Sequence, residues 1–213
     1  MMEFIKQPMA IERRSMELIA PYIEGLSLSE AEKKVYSRII HAAGDVEYAP
    51  IIRISETAVE EGIAALRGGA DIYTDVEMVR TGINKRKLAS FGGAVHCRIQ
   101  DPEIAAQMAK AQGVTRSLAA MRSFGAALTS SVVAIGNAPT ALFEVLRLVR
   151  EEGVRPACIV GIPVGFVGAA DSKKALAENR LVPYITVEGT KGGSPIAAAA
   201  VNAMLYEIDN SRD

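Results

Sequence analysis

The sequence is poor in aromatic residues and in cysteine. Its 213 residues include no tryptophan and two cysteines, and aromatic residues make up 5% of the chain. A core must therefore be built mainly from Ala, Val, Ile and Leu, which suits a layered α/β protein. Cys97 and Cys158 each lie in an apolar run without a CxxC motif or a histidine at ligand spacing. We expect two buried thiols, no metal site and no cofactor.

The chain also lacks an excess of charge and long apolar runs. Lys plus Arg number 24 against 25 Asp plus Glu, for a formal net charge of −1. A nucleic-acid partner is not expected, because such proteins carry a basic surface. The N-terminus has charged residues every few positions, unlike a signal peptide, and no segment is apolar enough to span a bilayer. These features predict a cytoplasmic protein with no membrane association.

The order of helical and strand patterns predicts the fold class. Three helical patterns come first, at 8–20, 29–41 and 55–66, and short apolar runs then alternate with helix-length segments. Short apolar runs of this kind are typical of parallel strands that are buried on both faces. We predict one domain over residues 1–213, a three-layer α/β/α doubly wound protein with N-terminal helices and a mainly parallel five-stranded sheet. The predicted strands are 71–74, 94–99, 132–135, 158–164 and 184–187, and the later helices are 101–112, 115–130, 139–152, 172–179 and 194–208.

Three of the predicted strands run into glycine- or proline-containing turns followed by helices. These turns contain Asn137, Gly192 and Ser194. Small residues let backbone N–H groups approach a ligand, and a helix N-terminus favours carboxylates or phosphates. The alternative is that the turns merely connect strand to helix. Neither a Walker P-loop nor the dinucleotide-binding glycine spacing is present, which argues against a nucleotide site.

Only two histidines, His41 and His96, offer an imidazole that exchanges protons near neutral pH. His41 ends a helical pattern before Gly44, and a helix C-terminus, with Asp45 nearby, would favour the protonated ring of an acid catalyst. A histidine that only caps the helix is the equal alternative. His96 lies within a predicted strand, and we expect it to be a hydrogen-bonded structural residue.

Arg116 begins a helix rich in small residues, where a guanidinium can grip a carboxylate. Arg14 and Lys85 belong to other small basic groups. Ser15 lies within a predicted helix and outside any G-x-S-x-G motif, so local sequence does not favour a serine nucleophile.

Seven motifs, taken together and in order, closely resemble the precorrin-8X methylmutase family over nearly the whole chain. Two of them, G-N-A-P-T-A-L-F and G-I-P-V-G-F-V-G-A-A-D-S-K, are long enough to make chance agreement unreasonable. The motifs are A-I-E-R-R-S-M at 10–16, I-I-H-A-A-G-D at 39–45, D-V-E-M-V-R-T-G-I at 75–83, G-V-T-R-S at 113–117, S-V-V-A-I-G-N-A-P-T-A-L-F at 131–143, G-I-P-V-G-F-V-G-A-A-D-S-K at 161–173 and K-G-G-S at 191–194.

The resemblance implies a flavodoxin-like fold, a homodimer and an isomerase of cobalamin biosynthesis that needs no cofactor. The reaction would be a 1,5-sigmatropic methyl shift from C-11 to C-12 of precorrin-8X or cobalt-precorrin-8, giving hydrogenobyrinate or cobyrinate. The family's catalytic histidine falls on His41, and its active-site serine and arginine fall on Ser15 and Arg116. We expect the acidic rim of the corrinoid substrate to meet these two residues together with Arg14, Lys85, Asn137, Gly192 and Ser194.

Two other functions remain open at this stage. A carrier would bind the acidic corrin product without converting anything, and only turnover separates it from an enzyme. A flavin or nucleotide protein would share the predicted fold class, although the missing P-loop counts against it.

Overall fold

The computed structural model describes residues 5–102, 110 and 113–210. Nine α-helices and six strands are present in this part of the chain, joined by short 3₁₀ turns. The helices are α1 (Pro8–Ile19), α2 (Glu30–Ala43), α3 (Ala58–Arg67), α4 (Glu77–Gly82), α5 (Lys85–Ala89), α6 (Arg116–Phe124), α7 (Pro139–Glu151), α8 (Ala169–Glu178) and α9 (Ser194–Asn210). The strands are β1 (Ile52–Ile54), β2 (Ile72–Thr74), β3 (Val95–Cys97), β4 (Val132–Ile135), β5 (Cys158–Gly161) and β6 (Tyr184–Val187).

The six strands form one sheet in the order β1-β6-β5-β4-β2-β3. The five strands from β2 to β6 are parallel, and β1 pairs antiparallel with β6 at one edge. The strand order reverses direction between β2 and β4, the position at which open α/β sheets bind ligands beyond the carboxyl ends of their strands. The loops after these strands therefore define the edge on which a site is expected.

Helices cover both faces of the sheet and create two apolar cores. Alternate residues of β4 divide between them, with Val132 and Ala134 in one core and Val133 and Ile135 in the other. The first core contains α2, α3 and α9, and the second contains α6, α7 and α8. The predicted mixed α/β class with helices on both faces is therefore confirmed.

The ends of α2 follow from local sequence. Ser29 and Glu32 form a capping box, in which the Glu32 N–H donates to Ser29 Oγ at 3.2 Å and the Ser29 N–H donates to Glu32 Oε2 at 2.7 Å. At the other end Gly44 adopts a left-handed conformation with φ 62° and donates its N–H to the carbonyls of Ile40 and His41. A residue with a side chain would be strained there, so the glycine fixes where the helix stops.

The structure corrects several boundaries. The predicted sheet of five strands lacks β1, which has three residues and an exposed arginine at its centre and so gives no clear apolar run. The predicted strand 158–164 ends at Gly161, since Pro163 follows, and the predicted helix 115–130 ends at Phe124 before a 3₁₀ turn. The short helices α4 and α5 were not predicted. Most of the predicted helix 101–112 lies outside the described residues.

Candidate functional site

His41 occupies the last turn of α2, and its side chain is exposed to solvent. Its carbonyl accepts from the Gly44 N–H at 3.2 Å, as the sequence predicted for a helix end. Among the described residues its imidazole has no hydrogen-bond or ion-pair partner, so both ring nitrogens remain available to a ligand.

Asp45 does not pair with His41, contrary to the proposed electrostatic role. Its carboxylate accepts from Lys191 Nζ at 2.6 Å and from the Glu47 N–H at 2.9 Å. Lys191 also donates to Glu47 Oε2 at 2.9 Å. The Lys191 hydrogen bond, followed by that from the Glu47 amide, holds the pKa of Asp45 below its ordinary value, and the same carboxylates raise the pKa of Lys191. A lysine distant in sequence thus competes for the carboxylate and ties the end of α2 to the loop between β6 and α9.

Gly192 lies in that loop, and Ser194 lies at its end. Both are at the side of the sheet where the parallel strands have their carboxyl ends, which we call the carboxyl edge. A side-chain carbon on Gly192, where φ is 151°, would stand 2.5 Å from the Ile162 carbonyl oxygen, so the backbone here requires glycine. Ser194 begins α9 and is buried against Gly136 of the loop after β4. The two loops are therefore packed backbone to backbone, and the position of Ser194 leaves it little access to solvent.

Asp75 is the feature that the sequence analysis missed. It follows β2, is fully buried, and its carboxylate accepts three backbone N–H groups, from Gly136 at 3.0 Å, Asn137 at 2.9 Å and Ala138 at 2.7 Å. Burial raises the pKa of Asp75, while the three amides act in the opposite direction. An acidic residue directly after a buried strand was the available signal. Its partners lie more than sixty residues away and could not be identified locally.

This arrangement changes how the loop after β4 can bind a ligand. Binding a substrate carboxylate is one of the two roles that the sequence allows for the three N–H groups that precede α7, but Asp75 already occupies them. The side chain of Asn137 remains exposed. We conclude that this loop can contact a ligand through side chains and not through the backbone groups that Asp75 holds.

Arg116 begins α6 on the opposite face of the sheet and is exposed. Its guanidinium donates to the Ile99 carbonyl at 2.8 Å. Thr115, which caps α6, forms a 2.8 Å hydrogen bond with Thr140 in the first turn of α7. The two helix N-termini therefore meet, and Arg116 and Asn137 belong to the same part of the carboxyl edge.

A buried ion-pair network holds α6 against α7. Glu144 is 3% exposed and receives two hydrogen bonds from Arg122, at 2.8 and 2.9 Å, and two from Arg147, at 2.7 and 3.0 Å. Burial alone would raise the pKa of Glu144, but the two guanidiniums outweigh it and the pKa is lowered. The network fixes the helix that carries Arg116.

No hydrogen bond or ion pair seen among the described residues joins the remaining predicted site residues to this group. Ser15 Oγ donates to the Ile11 carbonyl at 2.9 Å, and Arg14 pairs with Glu17 at 3.1 Å. An ion pair between Glu12 and Arg38 holds α1 on α2. Lys85 is exposed, and its neighbour Asn84 bonds Asn202, about 12 Å along α9 from Ser194. The geometry therefore gives Lys85 no place at the carboxyl edge.

His96 and the two cysteines lie in environments that are typical of residues with a structural role. His96 Nε2 lies 2.9 Å from Asp71 Oδ2, and its ring stacks on Tyr73 with centroids 4.9 Å apart. Burial raises the pKa of Cys97 to about 11 and that of Cys158 to about 12. In the described ranges no three His, Cys, Asp or Glu side chains are grouped as a metal site would require. Each helix in those ranges is too short or too polar to cross a membrane.

Comparison with known proteins identifies the family. The sequence model of the precorrin-8X methylmutase family matches residues 10–207. A cobalt-precorrin-8 methylmutase of Methanocaldococcus jannaschii is 38% identical, covering 97% of this chain and 97% of the relative. A cobalt-precorrin-8 methylmutase of Salmonella typhimurium is 41% identical, covering 97% and 99%. A precorrin-8X methylmutase of a Sinorhizobium species is 43% identical, covering 95% and 96%.

A solved structure agrees with the sequence comparison. The precorrin-8X methylmutase of Thermus thermophilus superposes with a TM-score of 0.84 at 36% identity, covering 94% of this chain and 98% of that one. Agreement of sequence over nearly the full length, and of fold, leaves one assignment. The chain belongs to the precorrin-8X methylmutase family of cobalamin biosynthesis, whose members are isomerases that transfer a methyl group within one molecule.

Proposed function

We propose that this protein catalyses the 1,5-sigmatropic methyl shift from C-11 to C-12 of precorrin-8X or cobalt-precorrin-8, with His41 as the general acid. The observation that carries the proposal is the exposed imidazole at the end of α2, which has no hydrogen-bond partner in the described part of the chain. The Lys191–Asp45 ion pair holds this end of α2 against the loop after β6. That loop lies at the carboxyl edge, where a sheet of this type receives its ligand.

His41 has the surroundings of a proton donor. Among the described residues no group pairs with its imidazole, so both ring nitrogens can face a substrate. Protonation of a ring nitrogen, or of the conjugated system, would draw electrons away from the migrating position. The bond from the methyl carbon to C-11 breaks as its bond to C-12 forms. No atom is gained or lost, and the donated proton returns to His41 when the product forms.

The acidic rim of the macrocycle is held by side chains at the same edge. Arg116 offers a guanidinium and Asn137 an exposed amide, while the three amides of the loop after β4 are taken by Asp75. Gly192 and Ser194 shape the neighbouring loop by their close packing. Ser15 and Arg14 are further candidates for contact with the rim, through the docking of α1 on α2.

We further propose that the protein acts in the cytoplasm, without a cofactor, as a homodimer with a flavodoxin-like fold. The dimer is supported by large apolar side chains exposed on α1 and the turns after it, namely Met9, Ile11, Leu18, Tyr22 and Leu26. Relatives named cobalt-precorrin-8 methylmutase and precorrin-8X methylmutase are similarly close in sequence, at 38% and 43% identity. Both substrates therefore belong in the test.

The test is turnover by purified protein. Precorrin-8X and cobalt-precorrin-8 are each supplied, and the absorbance change that accompanies methyl migration is followed. His41→Ala should fold and lose at least about 100-fold in kcat, within the range that general acid catalysis provides. His96→Gln, which changes the other histidine, should retain turnover. Full activity of His41→Ala would remove His41 from this role, and stoichiometric binding without turnover by the unaltered protein would identify a carrier.

A further inference from the structure

The loop between β5 and α8 carries two bare apolar side chains. Phe166 is 94% exposed and Val167 is 90% exposed, the highest values for large apolar side chains among the described residues. Val164, on the same loop, is 44% exposed. Burying a side chain of this size is worth about 1.5 to 3 kcal/mol, so their exposure indicates a surface that meets an apolar partner.

Both ends of this loop are fixed to the carboxyl edge. On one side the Gly165 N–H donates to the Thr190 carbonyl at 3.1 Å, next to the lysine that ties down the end of α2. On the other side Gly168 lies against the start of α7, where an added side-chain carbon would stand 3.5 Å from Pro139 Cβ and 3.7 Å from Phe143 Cε2. The tip therefore stands between the His41 end of the site and the Asn137 end.

The chemistry of the surroundings complements that of the tip. Residues 164–167 carry no charge, whereas the groups on either side include the exposed imidazole of His41 and the exposed guanidinium of Arg116. Small-molecule sites combine an apolar contact surface with a few polar groups that fix orientation. A flat apolar ring with an acidic rim has the matching distribution.

We propose that Phe166 and Val167 form the apolar surface against which the flat face of the corrin ring packs. The inference rests on the proposed function and adds two substrate-contacting residues to it. The basic and amide groups around the tip would hold the rim, and the tip would cover the ring. Packing of this kind contributes to substrate affinity through the removal of apolar area from water.

A protection experiment locates the ligand. Phe166→Cys places a thiol at an exposed position, and Leu181→Cys does so just before β6, away from the carboxyl edge. The native thiols react slowly, because burial raises the pKa of Cys97 to about 11 and that of Cys158 to about 12. Labelling with a neutral maleimide is followed by mass spectrometry, with and without saturating cobyrinate. We expect cobyrinate to slow the labelling of Phe166→Cys at least about tenfold and to leave Leu181→Cys unchanged, since a packed thiol is shielded.

Affinity gives the second measurement. Phe166→Ala should raise the Kd for cobyrinate about tenfold, the effect of one large apolar contact, while Leu181→Ala leaves it unchanged. Unprotected labelling of Phe166→Cys, in a protein whose parent binds and turns over substrate, would overturn the inference and leave the proposed function intact. If labelling of Phe166→Cys slowed with rising protein concentration in the absence of ligand, the tip would pack against a second copy of the chain. This result would also overturn the inference. A parent protein that neither binds nor turns over would remove the proposed function itself.

Discussion

Lys173 donates a 2.5 Å hydrogen bond from its buried Nζ to the main-chain carbonyl of Lys191. Lys173 is 1% exposed, and burial lowers its pKa to about 8. Lys191 in turn reaches Asp45 at the end of α2. A lysine inside α8 therefore supports, through one backbone carbonyl, the loop that positions the helix carrying His41.

The lowered pKa of Lys173 makes stability depend on pH. Between pH 8 and the ordinary value of 10.5 the unfolded chain binds a proton that the folded chain does not, so this lysine makes the free energy of unfolding rise with pH. The slope is at most about 1.4 kcal/mol per pH unit. Lys173→Met should lack this contribution, and Lys174→Met, an exposed neighbour on the same helix, should retain it. Urea unfolding of the three proteins from pH 7 to 10 measures the effect, and parallel curves for all three would contradict it.

The sequence predicted the position of His41 but not its surroundings. A capping box, a glycine and the helical pattern lie within fifteen residues of one another, so the end of α2 could be predicted from local chemistry. The partner of Asp45 is Lys191, 146 residues away. A prediction from neighbouring residues alone therefore paired Asp45 with the imidazole of His41.

The same distinction explains the sheet. The five parallel strands are apolar runs between turn residues, which sequence reveals. Strand β1 forms because it pairs with β6. This pairing is a tertiary contact, and the sequence of a three-residue segment does not predict it. The carboxylate that fills the amides after β4 is likewise a tertiary contact, between the ends of β2 and β4.

Replacing Asp75 tests whether its carboxylate organises the loop after β4. Asp75→Asn keeps the size but turns one oxygen into a donor that faces backbone N–H groups. We expect a loss of about 2 to 4 kcal/mol in the free energy of unfolding, because at least one buried N–H loses its acceptor. Asp171→Asn, which alters an exposed carboxylate in the first turn of α8, is the matched control. Equal stability of the two variants in urea would show that the three hydrogen bonds do not organise the loop.

Glu144 offers a second pH-dependent test. Its folded pKa is lowered, so the stability it contributes is present above the ordinary value of 4.5 and is lost as pH falls below it. Glu144→Gln leaves two guanidiniums facing a neutral side chain in a buried place and should cost about 3 kcal/mol at pH 7. The deficit should shrink as the medium is acidified. Thermal unfolding from pH 3 to 7 measures it, with Glu151→Gln, an exposed partner of Arg147, as the control.

Arg116 should act on substrate affinity more than on the fold. Its guanidinium is exposed at the start of α6, with one backbone acceptor, so its removal leaves no buried group unpaired. A lost charge-assisted hydrogen bond is worth about 1.5 to 3 kcal/mol, which corresponds to a Kd about 10- to 150-fold weaker. Arg116→Lys should recover only part of this loss, since a lysine cannot form the two parallel hydrogen bonds of a guanidinium with a carboxylate. Titration with cobyrinate, monitored by absorbance, compares both variants with Arg180→Ala, an exposed arginine just before β6. Because the proposed contact is with a carboxylate, the ratio of the Kd of Arg116→Ala to that of the unaltered protein should fall as the salt concentration is raised. If the variant had instead lost apolar packing, this ratio would not depend on salt.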